Sequence, residues 1–394
     1  MGAKTKIAWC DKTFNPWLGC QKVSPACDNC YAEKFVNTLG KGLKVEWGAG
    51  KPRQRTSDAN WKQPLRWNRQ AEIKFNAWEK FKAENPGLTD TQLEAQGFVK
   101  PRRPRVFCGS LCDVFDNAAP DEWRVDLLEL ILKTRYLNWL LLTKRIGNAM
   151  EMLDRAISTM SDGMAGWDGE EGFEHVWLGI TVCNQEEADR DIPKLLEIPA
   201  AKRFLSIEPM LGAVDILKWL DPYTCADCEY HGDRNDCADD RCSECGKEFG
   251  EDDICQHCGC DERKDTCPQC GGRYECDYGF MFSSEKKLID WVIVGGETGK
   301  NARPLNPEWV RNLCNQRKDA EPGALFFFKQ WGEFMPAEHP DCPCGFPFRD
   351  WIWGDGKTFR RGDGNRGGMP LFRRVGKKRA GRLLDGREWL EMPE

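Results

Sequence analysis

The chain has 394 residues, 40% of them hydrophobic, which is enough for one large α/β domain or two ordinary domains with a sizeable core. Its net charge of −6 is unevenly spread: residues 221–277 carry 17 acidic and 6 basic side chains, whereas residues 357–387 carry 11 basic and 2 acidic ones. No apolar run is as long as a membrane span and the first residues lack the hydrophobic region of a signal peptide, so we expect a cytoplasmic protein with no membrane contact.

The first element in the chain is a loop with three closely spaced cysteines. It reads NPWLGCQKVSPACDNCYAE, in which Cys20, Cys27 and Cys30 have the spacing C-x6-C-x2-C. We predict that a first strand over 16–20 leads into this loop. The chain contains 21 cysteines, and a reducing compartment favours metal ligation over disulfides. Three thiolates on one loop can bind three irons of a 4Fe–4S cluster and leave the fourth iron open.

A zinc knuckle is the alternative for this loop. Cys27 and Cys30 form a CxxC pair, and Cys20 would be a third ligand. A structural zinc ion requires a fourth ligand, and Cys10 is a candidate on the far side of the predicted strand. A helix is predicted directly after the loop, with Tyr31 on its apolar face.

Seven short apolar runs, each followed by polar residues, recur along the chain. They cover residues 16–20, 105–111, 137–145, 175–184, 202–210, 289–299 and 324–332. Continuous apolarity of this length predicts strands that are buried on both faces of a parallel sheet. Helical patterns lie between them over 121–136, 185–196 and 306–317. The alternation predicts an α/β fold, namely a complete or partial (β/α) barrel of the TIM type.

Polar and charged side chains follow these runs. In a (β/α) barrel the chemistry takes place at the carboxyl ends of the strands. The positions predicted to meet there are 20, 110–113, 143–145, 181–184, 208, 295–297 and 329–330. Each of these side chains would also suit a helix cap or a salt bridge.

Residues 222–280 break the pattern, because they are acidic, rich in cysteine and poor in aliphatic side chains. We predict an inserted small zinc-binding module that folds around metal. Four CxxC pairs supply eight ligands, enough for two Zn²⁺ ions: Cys225, Cys228, Cys242, Cys245, Cys255, Cys258, Cys267 and Cys270. Their pairing is open, further ligands could replace some of them, and a second iron–sulfur cluster is the alternative. The replacement ligands are Cys237, Cys260, Cys276, His231 and His257.

Two segments outside the barrel pattern are basic. Residues 41–70 contain KPRQR and NWKQPLRWNR, and we predict a long loop near the barrel mouth. Residues 347–394 are rich in glycine and arginine, and we expect this C-terminal extension to pack loosely on the barrel. Basic flanks of this kind indicate nucleic-acid contact or a solvated surface.

Several blocks of the sequence resemble one family. NPWLGCQKVSPACDNCYAE, FLSIEPMLG, WVIVGGETGKNARP, FFFKQWGE and GRLLDGREW are similar to the phage- and prophage-encoded three-cysteine-motif family, which is of the radical S-adenosylmethionine (SAM) type. The resemblance implies a partial barrel formed by residues 1–221 and 281–346, a 4Fe–4S cluster on the three cysteines, and SAM. The C-x6-C spacing and the aromatic Tyr31 after the last cysteine depart from the commonest radical SAM pattern.

The resemblance also implies roles for individual strand-end residues. Besides Tyr31, the expected SAM contacts are Ser110, Asp113, Thr181, Asn184 and Glu208. Glu297 and Lys329 come from later strands and are expected to act on the substrate.

The main functional hypothesis is a radical SAM enzyme that modifies or isomerises a base, of the hypermodified thymidine type, in phage DNA. Its electron donor would be a protein such as a flavodoxin, in the cytoplasm of a phage-infected or prophage-bearing bacterium. The alternatives are a non-enzymatic, zinc-stabilised DNA-binding protein and a radical SAM enzyme that acts on a peptide or a small molecule. The sequence leaves the oligomeric state open.

Overall fold

Strands and helices alternate along most of the chain. The structure is a computed structural model that describes residues 5–39, 45–169, 172–220, 288–320, 323–337, 351–353 and 371–394. The cysteine-rich insert over 222–280 lies outside the described residues, and so do its eight predicted zinc ligands.

Seven strands form one parallel sheet in which neighbours in the chain are neighbours in the sheet. They are β1 Lys12–Phe14, β2 Arg105–Cys108, β3 Asn138–Thr143, β4 Val176–Thr181, β5 Lys202–Ile207, β6 Trp291–Gly295 and β7 Leu325–Gln330. A bulge between Val294 and Gly295 shifts the register at the end of β6. The α/β class and the parallel sheet are therefore confirmed.

Six of the seven predicted runs contain a sheet strand. The first prediction, over 16–20, was wrong, because the sheet strand there is β1. Within the apolar run only Trp17–Leu18 is extended, and it pairs antiparallel with Gln54–Arg55 in a separate small sheet. A proline at position 16 has no N–H to donate to a ladder, which disfavours this run as a central strand.

Aromatic side chains fill the inner face of the sheet and show that it curls. The ring centroids of Trp9, just before β1, and Trp291, in β6, are 6.2 Å apart, although four strands separate β1 from β6. Trp177 in β4 also reaches Trp291, at 6.3 Å. Gly179 leaves room for this packing, because a Cβ there would lie 2.4 Å from the ring of Phe204. The sheet is thus a curled half-barrel, compatible with a partial TIM-like barrel.

Helices cover the outer face of the sheet, where most of the hydrophobic core lies. All helices within the described ranges are α1 Tyr31–Leu39, α2 Asp58–Glu84, α3 Asp90–Ala95, α4 Asp121–Leu132, α5 Ala149–Met160, α6 Gln185–Glu197, α7 Pro307–Asp319 and α8 Lys377–Ala380. Helices α4 to α7 supply most of the helical residues of this core. Single 3-10 turns are Pro25–Cys27, Ile146–Asn148 and Leu217–Trp219. None of the helices in the described ranges is long and apolar enough to cross a membrane.

Helix α2 corrects the prediction of a loop over 41–70. It has 27 residues and begins inside that segment. Its buried positions Pro64, Ala71 and Trp78 are seven residues apart, so only a narrow stripe of the helix faces the protein. Because the remaining positions are mostly polar, no broad apolar face marks the helix in the sequence.

The C-terminal residues pair with β7, the last strand of the sheet. The backbone N–H of Phe328 in β7 donates to the carbonyl of Trp389 at 2.8 Å, and that of Glu391 donates to the carbonyl of Phe326 at 3.2 Å. Leu371–Arg374 forms the middle strand of a small antiparallel sheet with Phe334–Pro336 and Trp351–Trp353. The expectation of loose packing was therefore wrong for residues 371–394, which cover the outer side of β7.

Candidate active site

A cavity of about 260 Å³ lies at the carboxyl edge of the sheet. It is lined by ten of the eleven site residues predicted outside the insert, all except Asn184. The ten are Cys20, Cys27, Cys30, Tyr31, Ser110, Asp113, Thr181, Glu208, Glu297 and Lys329. Because parallel strands place their carboxyl ends at the same edge, residues far apart in the sequence meet there.

Local backbone contacts shape the three-cysteine loop. The carbonyl of Cys20 accepts from the N–H of Gly48 at 2.9 Å, which ties the start of the loop to the segment after α1. Ser24 then caps the Pro25–Cys27 turn by accepting from the N–H of Ala26 at 3.0 Å. The resulting turn places Cys30 directly before the first residue of α1.

All three cysteines carry free thiols, and Cys27 is buried. Burial, together with the charge of Asp113, raises the pKa of Cys20 to about 11, against a smaller opposing effect of Arg145. Over the described residues, no three His, Cys, Asp or Glu side chains are grouped closely enough to hold a single metal ion. A four-iron cluster sets a different requirement, since each thiolate binds a separate iron.

Arg145 contacts the first cysteine of the loop. Its Nη1 lies 3.5 Å from Sγ of Cys20 and 3.0 Å from Oδ2 of Asp113, and its Nη2 donates to the carbonyl of Gln21 at 3.1 Å. The Arg145 and Asp113 side chains are each 7% exposed. Asp113 also accepts from the hydroxyl of Thr143 at 2.7 Å. Asp113 is thus engaged by protein groups in addition to lining the cavity.

Arg303 holds the other end of the loop. Its guanidinium donates to both carboxylate oxygens of Glu297, at 2.7 and 3.0 Å, to Asp28 at 3.1 Å and to the carbonyl of Pro25 at 3.1 Å. Burial opposes ionisation of Glu297, but the hydrogen bonds from Arg303 outweigh it and lower the pKa of this carboxyl. The Cys27–Cys30 segment is therefore fastened to the end of β6 through one arginine.

A third ion pair crosses the cavity. Nζ of Lys329 lies 3.0 Å from Oε1 of Glu208, and the indole N–H of Trp9 donates to Oε2 of the same carboxylate at 3.2 Å. Lys144 also lines the cavity and donates to the hydroxyl of Thr181 at 3.3 Å. The cavity is therefore strongly polar, with cations and carboxylates from several strand ends.

The remaining predicted residues have simpler surroundings. Ser110 exchanges hydrogen bonds with the side chain of Asn15 at 3.1 and 3.3 Å. Tyr31 is 64% exposed and stacks on Phe35 with ring centroids 5.6 Å apart. Asn184 caps α6 by accepting from the N–H of Glu187 at 3.0 Å, and it lies outside the cavity lining.

The sequence predictions did not single out three residues of this site. Arg145 was predicted only as a member of the strand-end group, and Arg303 lies in a loop with no pattern of its own. Cys112 lines the same cavity as the three loop cysteines, and burial raises its pKa well above the ordinary value. Cys10, the predicted fourth ligand of the alternative zinc knuckle, is buried outside the cavity lining, and its thiol donates to the carbonyl of Ile7.

The fold and the site define an α/β protein with a curled parallel sheet and a cysteine-lined polar cavity at its carboxyl edge. The chain belongs to DUF5131, a family of proteins of unknown function whose model matches residues 4–393. Comparisons with curated proteins and with solved structures found no match.

Proposed function

We propose that the protein is a radical SAM enzyme whose 4Fe–4S cluster is held by Cys20, Cys27 and Cys30 in this cavity. The observation that supports it best is the convergence of three free thiols with the charged ends of the strands on one cavity of a half-barrel. The resemblance to the phage three-cysteine-motif family supports the same assignment. When bound, the cluster and SAM supply one-electron cleavage of a carbon–sulfur bond and with it a 5′-deoxyadenosyl radical.

The residues present suit such a group. Three thiolates bring negative charge into a buried site, and the guanidinium of Arg145 beside Cys20 compensates part of it. The hydroxyls of Ser110 and Thr181 and the ammonium of Lys144 would bind the ribose and the carboxylate of SAM. Lys144 has no carboxylate partner among the described residues, so its charge is available to a ligand.

The ion pairs favour different roles for the two residues predicted to be catalytic. Glu297 is held ionised by Arg303, which makes it a poor proton acceptor and a good anchor for the cysteine loop. We therefore assign it a positioning role. Lys329 is 22% exposed beside Glu208, and we propose that these two residues face the substrate.

The proposed substrate is a base in phage DNA, of the hypermodified thymidine type, which the enzyme modifies or isomerises. Basic side chains of the C-terminal residues support this: Arg374 reaches the carbonyls of Gly299 and Lys300 near the cavity, at 2.6 and 2.8 Å. A flavodoxin-like protein would supply the electron in the host cytoplasm. The zinc module over 222–280 remains part of this proposal.

One observation favours a second candidate function. Cys112 lines the same cavity as the three loop cysteines, but over the described residues these thiols are not grouped closely enough to bind one metal ion, so a Cys₄ zinc site with no open position would require them to move together. Such a site would be structural, as expected for a non-enzymatic, zinc-stabilised DNA-binding protein.

Anaerobic reconstitution with iron and sulfide tests the two candidates. We expect wild-type protein to take up about four irons per chain, to absorb at about 400 nm, and to release 5′-deoxyadenosine from SAM after reduction. Cys27→Ala should lose the iron and keep any zinc of the insert, whereas Cys112→Ala should keep the iron. Protein that binds zinc alone and depends on Cys112 for it would overturn the proposal in favour of the closed site. Deuterium transfer from labelled DNA into 5′-deoxyadenosine would identify DNA as the substrate. If no deuterium came from DNA and a labelled peptide or small molecule supplied it instead, the result would favour a radical SAM enzyme that acts on that class of substrate.

A further inference from the structure

We infer that Arg145 sets the reduction potential of the cluster through its contact with Cys20. The inference rests on the proposed function, because it requires the cluster on Cys20, Cys27 and Cys30. Arg145 is a positioning residue in this sense: it acts on a ligand sulfur and not on the substrate.

The geometry makes Arg145 different from every other cation of the cavity. Its Nη1 lies 3.5 Å from Sγ of Cys20, within the range of a hydrogen bond to sulfur. Among the described residues, no cationic side chain donates to the sulfur of Cys27 or Cys30, since Arg303 contacts the backbone and Asp28 instead. The iron bound by Cys20 would therefore have a different environment from the other two.

The guanidinium is held rigidly in this position. Asp113 accepts from Arg145, and it also accepts from the hydroxyl of Thr143 at 2.7 Å and the N–H of Lys144 at 3.0 Å. Both members of the ion pair are 7% exposed, so water screens their charges weakly. A second donor, Nη2, is fixed by the carbonyl of Gln21.

Hydrogen bonds to cluster sulfurs and nearby positive charge stabilise the more negative, reduced state and raise the potential. Here Asp113 offsets part of the positive charge of Arg145, so the directed hydrogen bond carries most of the effect in the wild type. Replacing Arg145 by a neutral residue removes the charged donor and leaves the carboxylate of Asp113 uncompensated near the cluster. Both changes lower the potential.

The test is a redox titration of the reconstituted full-length protein with dithionite as the reductant. Electron paramagnetic resonance measures the reduced cluster at each potential. At a fixed potential we expect Arg145→Gln to lower the ratio of reduced to oxidised cluster by about tenfold or more, which is about 59 mV for one electron. Arg145→Lys keeps a positive charge and should shift the ratio less. The double variant Asp113→Asn with Arg145→Gln isolates the hydrogen bond, because both charges are gone.

Lys144→Gln is the matched control, since it removes one positive charge from the same cavity without touching a sulfur. An Arg145→Gln potential equal to that of the wild type, or shifted no more than that of Lys144→Gln, would overturn the inference. If Arg145→Gln fails to take up the cluster, Arg145→Lys decides: a potential below that of the wild type supports the inference, and an unchanged one overturns it. Wild-type protein that takes up no iron overturns the proposed function, and this inference with it.

Discussion

The amino and carboxyl edges of the parallel sheet use polar and charged side chains differently. At the amino edge, Asp11 accepts two hydrogen bonds of 2.7 Å from Arg102 and one of 2.8 Å from the backbone N–H of Arg105. His175, just before β4, is 1% exposed, and its Nε2 lies 3.1 Å from the carbonyl of Ile131. These groups pair with one another and with backbone, and none of them lines the cavity.

At the carboxyl edge, charged side chains lie in or beside the wall of the cavity. Both Asp113 and Arg145 line the cavity, as does Glu297 of the pair Glu297–Arg303. In each pair the arginine contacts the cysteine loop. The same residue types therefore perform two functions in one sheet. Charges at the amino edge stabilise the fold, whereas charges at the carboxyl edge also place the three thiols.

The largest effect is expected for Asp113→Ala. The substitution leaves the guanidinium of Arg145 buried without its carboxylate, which we expect to lower the free energy of unfolding by about 3–5 kcal/mol. Urea unfolding of the metal-free protein measures it. Glu129→Gln is the control, because its pair with Lys133 on α4 is exposed and should change stability by less than about 0.5 kcal/mol. Equal costs for the two variants would refute the view of Asp113–Arg145 as a buried pair.

His175 provides a purely structural test at the other edge. Burial lowers its pKa to about 4 from the ordinary 6.5. As the pH falls below 6.5, the unfolded chain takes up a proton that the folded protein refuses until about pH 4, so stability is lost across this window. We expect His175→Gln, which keeps a donor for Ile131, to lose about 2–3 kcal/mol less than the wild type between these two pH values.

Urea midpoints at several pH values measure this difference. Iron uptake by His175→Gln at neutral pH should match that of the wild type, because the residue lies outside the cavity lining. A variant with the same pH dependence as the wild type would show that other groups cause the acid lability. A variant that loses iron would break the separation between the two edges.

The sequence predicted the sheet better than the elements around it. β3 to β6 are buried on both faces, so their apolar runs appear directly in the sequence. β1 was missed because it has only three residues and is the first strand in the order of the sheet, while the stronger apolar signal belongs to the neighbouring Trp17–Leu18. Helix α2 was missed because a proline and a narrow buried stripe hide its period.

The predicted strand-end residues meet in one cavity for the same physical reason. Parallel topology determines which residues reach the carboxyl edge, so the sequence alone could place strand-end residues such as Thr181 and Glu208 there. What the residues do there depends on partners that come from distant loops. Arg303 is the example: only the folded chain shows that it joins Glu297 to the Cys27–Cys30 segment.

The smallest effect on stability is expected for Glu297→Gln. Glu297 is 5% exposed but Arg303 is 38% exposed, so water screens the pair and we expect a loss of about 1 kcal/mol at pH 7. Because the pKa of Glu297 is lowered, its contribution is present above about pH 4.5 and disappears as the pH falls and the carboxyl takes up a proton. The cost of the substitution should therefore shrink below that pH.

The same variant separates stability from positioning. Without the carboxylate, Arg303 is held less firmly against Pro25 and Asp28, so a chelator should remove iron from the reconstituted variant several times faster than from the wild type. Asp385→Asn is the matched control: it weakens a similar half-exposed pair with Arg311, outside the cavity lining, and asparagine tolerates the positive φ of 52° at this position. If both variants lost iron at the wild-type rate, the Glu297–Arg303 pair would contribute only to the stability of the fold, like the charges at the amino edge. A faster loss confined to Glu297→Gln would show that the carboxyl edge restrains the cysteine loop beyond its small share of the folding free energy.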